Sequence, residues 1–110
     1  MGVVGYGTMG LSERRNARVT LTPQAPATTI TISTATVTLF DTSGAVAGGV
    51  SGALASFDSG AQAAPRAWYQ VKPTVLGIAP GTYTVAFLIV DSLGFEYEPE
   101  VRVIVVAYGG

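Results

Sequence analysis

The chain has 110 residues, room for one domain with a real core. It contains no cysteine and no histidine, which excludes disulfides, thiolate metal sites and histidine-based acid–base or metal chemistry. Charged residues are only 12% of the chain against 48% hydrophobic ones, and the net charge is −1 with no basic stripe, which argues against a nucleic-acid partner.

Residues 1–17 are glycine-rich and end in the polar run LSERRNA. They read as a flexible N-terminal arm, with the folded domain spanning 18–108. Within the arm, GYGTMG (5–10) spells G-x-G-x-x-G after Val3 and Val4. A dinucleotide site needs a strand before this motif, a helix after it and an acid about 20 residues on. LSERRNAR has no apolar face, and no acid stands between Glu13 and Asp41. No cofactor is expected. Arg14 and Arg15 follow the weakly apolar start instead of preceding it, so no signal peptide is expected either. No apolar run approaches the roughly 18 residues of a membrane-crossing helix.

From Arg18 the chain reads as β. RVTLT (18–22) alternates, and TPQAPATT (22–29) is a loop punctuated by Pro23 and Pro26. ITISTATVTLFD (30–41) is rich in β-branched residues, with Ala35, Val37 and Leu39 on one face. DTSG (41–44) is a turn, and AVAGGVSGALASFD (45–58) is weak, its glycines suggesting a bulge or a flexible crossing. RAWYQVK (66–72) is a strand with Trp68 and Gln70 on one side, Tyr69 and Val71 on the other. PTVLGIAPG (73–81) reads as a short extended piece ending in a Pro-Gly turn. TYTVAFLIVD (82–91) is the strongest strand, with Tyr83, Val85, Phe87 and Ile89 sharing one face. DSLG (91–94) is a second tight turn, and FEYEPEVRVIVVAY (95–108) a long final strand. About seven short strands without helical periodicity predict an antiparallel β-sandwich.

Three groups of residues are candidates for function. Glu96, Glu98 and Glu100 share one face at period 2, either as a solvated edge helped by Pro99 or as a docking strip for a basic partner. Arg14, Arg15 and Arg18 make residues 1–18 net positive, so an arm carrying Tyr6 and Met9 is expected to lie on the acidic strip of a neighbouring copy. Ile104, Val106 and Tyr108 make the second face of the last strand apolar, which expects cover from the arm, a loop or another subunit. Trp68 and Tyr69 read as packing, with a sugar-stacking platform as the alternative. Asp41, Asp58 and Asp91 stand at strand ends, where aspartate makes turns, and no metal site is expected.

The stretch LGIAPGTYTVAFLIVDSLGFEYEPEVRVIVV (76–106) resembles the C-terminal half of immunoglobulin-like and fibronectin-III-like sandwiches, and ATVTLFDTSGAV (35–46) resembles an earlier strand and turn of the same kind. In overall character the chain is similar to small sandwich proteins of tailed-phage particles. The resemblance implies an Ig-like fold, and the composition and charge add the expectation of a non-catalytic role with no cofactor, nucleic acid or membrane. It implies a structural subunit of a larger assembly, such as capsid decoration, neck or tail, in the virion or otherwise in the cytoplasm. Partners are then further copies or other subunits. The alternative is a carbohydrate- or ligand-binding module.

Overall fold

The computed structural model describes residues 3–23 and 29–107, with side chains in the first strand from Gly7 onward. Two sheets face each other as a β-sandwich. The first contains β1 (Val3–Gly10), β3 (Ile32–Phe40), β4 (Ala53–Leu54), β7 (Gly81–Asp91), β8 (Glu96–Tyr97) and β9 (Glu100–Val106). Its order is β1-β9-β7-β3-β4, with β8 also on β7. The second is β2 (Arg15–Thr20), β6 (Arg66–Val71) and β5 (Ser56–Phe57), in the order β2-β6-β5.

Period-2 burial explains the strand faces. On β7, Tyr83, Val85, Phe87 and Ile89 all point inward, as the alternation predicts. Ala35, Val37 and Leu39 of β3 meet them from one side, and Val101, Val103 and Val105 of β9 from the other. The opposing sheet supplies Ala17, Val19, Ala67 and Val71. At the start of β3 the register shifts between Ile32 and Thr34. Ser33 is the extra residue, so Ile32 and Ala35 are both buried although three positions apart.

Four expectations need correction. Val3–Gly10 is not part of an arm: it is a strand paired in parallel with β9, from Val3↔Glu100 to Gly10↔Val106. The domain therefore takes in residues assigned to the arm, and β2 starts at Arg15 instead of Arg18. Residues 73–76 are not extended but form one helical turn, α1 (Pro73–Leu76), with proline at its start and Gly77 at φ 69° closing it. The final strand is interrupted. Ala86↔Glu100 and Ile89↔Tyr97 belong to one continuous register, but Pro99 has no N–H to give the ladder. Its carbonyl still accepts the Phe87 N–H at 2.9 Å.

The polar run after β1 is a tight turn between the sheets. The Glu13 N–H donates to the Gly10 carbonyl at 3.2 Å, and the Glu13 carboxylate accepts the Gly10 N–H at 2.8 Å. Glu13 also holds Arg15 (2.9 Å). The weak segment 45–58 folds back along the end of β3 through Ala47 N–H to Leu39 O and Leu39 N–H to Val50 O. There Gly48 has φ 61°, and a Cβ on it would lie 3.1 Å from the Leu76 Cβ, so α1 packs directly on bare backbone.

The Pro-Gly turn before β7 is locked by a side chain. The Tyr83 hydroxyl donates to the Ala79 carbonyl at 2.6 Å while its ring is buried. Tyr83→Phe keeps the ring and loses this bond. It is expected to cost about 1 kcal/mol in urea unfolding, with an unchanged dependence on denaturant.

Candidate interaction surfaces

The two D-x-x-G segments are built alike. In each, the aspartate N–H donates to the carbonyl four residues on, and the glycine N–H donates back to the aspartate carbonyl. In each, the carboxylate Oδ1 accepts the N–H groups two and four residues on: Ser43 and Ala45 for Asp41, Leu93 and Phe95 for Asp91. Gly44 and Gly94 stand at φ 87° and 89°, which only glycine adopts cheaply. Asp41 adds its own Ser43 hydroxyl at 2.6 Å, whereas Asp91 takes the Tyr97 hydroxyl at 2.7 Å.

Asp91 is 2% exposed, and its carboxylate is taken up by its own turn and by Tyr97. Burial pushes its pKa up. The Tyr97 hydroxyl and the N–H groups of Phe95, Leu93 and Gly94 outweigh that and hold the carboxyl below the usual range. Asp58 is held low first by its hydrogen bond to Arg66, whose Nε lies 3.0 Å away. Asp41, Asp58 and Asp91 are thus engaged in turns and an ion pair. No cluster of three or more metal-ligating side chains occurs among the described residues.

The predicted interaction residues divide. Met9 is buried between the sheets, so its role is packing and not contact with a neighbour. Tyr6 pairs with Arg102 through the backbone of β1; its side chain and Tyr108 lie outside the described residues. Arg14, Arg15 and Arg18 are exposed along the turn and β2. Glu96 and Glu98 are exposed and Glu100 half-buried, while Tyr97, Pro99 and Val101 point inward, as the period predicts. Ile104 is exposed and Val106 half-buried on the outer face of β9. The first strand does not cover that face; it lies beside β9, in the plane of the sheet.

Three surface features follow from this arrangement. The outer face of β3 and β7 presents Thr34, Thr36, Thr38 and Phe40 beside Thr82, Thr84, Ala86 and Leu88, with no charge at any of these positions. At its edge, Leu54 is 84% exposed, in register with Thr36, which in turn pairs with Leu88. Sequence reasoning missed this face because threonine reads as ordinary strand composition.

The second feature is a cleft where β1 and β9 approach β2. It is lined by Gly7, Met9, Ala17, Val71, Val101 and Val103, with Arg15 and Arg18 at its side. A Cβ built on Gly7 meets nothing within 4 Å, so the space beside this glycine is open. The third is a shallow depression on the outer face of β6. Trp68 is half-buried there between Asn16, Ser56 and Gln70, with Leu54 alongside. Tyr69, its neighbour, turns toward the core.

No protein-family model matches the chain, and none of the curated proteins does. Among solved structures it is similar to a family 123 glycoside hydrolase from Clostridium perfringens, studied for glycolipid glycan hydrolysis. The match covers 94% of this chain and 23% of that one, at 12% identity and a TM-score of 0.59. At this identity the likeness shows a shared β fold and nothing of the enzyme's chemistry.

Asp91→Ala removes the acceptor for a buried hydroxyl and two backbone donors. It is expected to destabilise the fold by about 2–3 kcal/mol at pH 7. Because the folded carboxyl titrates below its unfolded value of about 3.9, this contribution is complete above that value. It fades as pH falls through the lower folded value. The gap between denaturant curves of the two proteins should therefore narrow as pH falls from 7 toward 2.5; a constant gap would contradict the assignment.

Proposed function

We propose that this chain is an immunoglobulin-like sandwich with a non-catalytic role, a structural subunit that assembles with further copies of itself. The immunoglobulin-like reading is supported by the pairing of the first strand in parallel with the last, ahead of β7, β3 and β4, over a sheet of β2, β6 and β5. It is also supported by Tyr83 at the start of β7, bonded to the backbone four residues upstream, the tyrosine-corner arrangement of such folds.

The observation that carries the assembly reading is the charge-free outer face of β3 and β7. An antiparallel sheet with one face in water ordinarily alternates apolar residues inward with polar and charged ones outward. On β3 and β7 the outward positions are threonine, alanine, leucine, valine and phenylalanine, continued by Leu54, and charge returns at the border with Glu98, Glu100 and Arg102. Depletion of charge is the mark of the centre of an interface. The tailed-phage association has no observation of its own beyond this, and the proposal does not extend to it.

Light scattering over a range of concentrations should give masses that rise above the 11.3 kDa of one chain. Leu88→Glu, which extends the charge of Glu98 and Glu100 onto this face, should lower them. A fixed mass of 11.3 kDa at every concentration would overturn self-assembly.

A second reading, a carbohydrate-binding module, is favoured by the Trp68 depression alone. A half-exposed indole flanked by Asn16, Gln70 and Ser56 offers an apolar ring and polar groups of the kind that a sugar face needs. A glycan array should then show binding that Trp68→Ala abolishes with the fold intact, and an array without hits would set this reading aside.

A further inference from the structure

We infer that two copies of this chain join edge to edge through β1, antiparallel about a two-fold axis, so that the main sheet runs continuously across the pair. The inference names the partner surface for the self-assembly proposed above and rests on that reading. Its basis is a comparison of the sheet edges. Unpaired strand edges are templates for another chain, and folded proteins guard them with charge, proline, bulges or short length.

Most edges here are guarded. β4 and β5, which end their sheets, are two residues long. β2 carries exposed Arg15 and Arg18, with Arg14 beside it. β8 carries Glu96, with Glu98 and Pro99 immediately after it. β1 differs. It is eight residues long, ends the main sheet, and contains no charge and no proline. Its one irregularity, between Val3 and Gly5, leaves Gly5–Gly10 in unbroken register with β9.

The occupant follows from charge. Two copies of an edge without charge meet without repulsion along the paired backbone, and the like charges of such a pair are those of the flanking β2. β2 could not pair with itself in this way, because its arginines would meet. Since β1 and β2 flank the same cleft, pairing two β1 edges brings the β2 arginines of both copies toward each other. Such repulsion between exposed charges is screened by salt. Association through β1 should therefore strengthen as salt is raised. Docking of Arg14, Arg15 and Arg18 on the acidic Glu96–Glu100 strip of a neighbour would weaken instead.

Thr8→Lys tests this, because Thr8 is exposed in the middle of the paired stretch and lysine is a common edge guard. Sedimentation equilibrium of the whole chain should show the dimer dissociating at roughly tenfold or more higher concentration than wild type. Gln70→Lys, on the exposed outer face of β6, should leave it unchanged. Thr8→Glu is the second variant, and thermal melts confirm that each is folded. A wild-type oligomer that both Thr8 variants leave intact, or one that loosens with salt, overturns the edge contact while self-assembly stands. A wild-type chain that is monomeric throughout overturns both.

Discussion

The structure hangs on the inward row of β7. Tyr83, Val85, Phe87 and Ile89 are buried between two neighbours, β3 and β9, which place their own apolar rows beside it. Every other strand of the main sheet is attached to β7 directly or through one of those neighbours. The row spans both ends of the sandwich. At one end Tyr83 ties down the Pro-Gly turn, and at the other Asp91 closes the D-x-x-G turn and holds Tyr97. Hydrophobic burial sets the plane of the sheet, and the two polar side chains set where its central strand begins and ends.

The same economy explains the surface. Much of the exterior belongs to the outward positions of the same strands that fill the core. Those positions carry threonine and alanine where many domains carry lysine and glutamate. Charge is found on β2, on the Glu96–Glu100 segment, at Arg102 of β9, on Arg66 and Lys72 at the ends of β6 and at the turns, and is missing from the outward positions of β3 and β7 and from β1.

The strongest elements were legible because their signals are local. The period of β7, the alternation of Val37 and Leu39, the two D-x-x-G turns and the Glu96–Glu98–Glu100 face can all be read within a dozen residues. The elements that escaped depend on distant partners. Gly5 and Gly7 carry no strand propensity, and β1 is a strand because β9 lies beside it. Met9 reads as part of an arm until the second sheet is placed over it. The helical turn at 73–76 does have its proline start and glycine stop, but four residues give no period to detect. Of the candidate surfaces, the acidic strip and the arginines lie where the sequence placed them on the exterior. The charge-free face needed the cross-strand register to be visible as one surface.

The pairing of β1 with β9 also imposes an order in time. Gly7 is paired with Val103, so the first strand has no place in the sheet until the last has been made. At a synthesis rate of about 5–20 residues per second, that wait is about 5–20 seconds. During it the least guarded edge of the fold is outside the ribosome with nothing to bond to. The main sheet of a chain built this way closes only once β9 has left the ribosome, and crowded nascent copies meet through the strand that closes last.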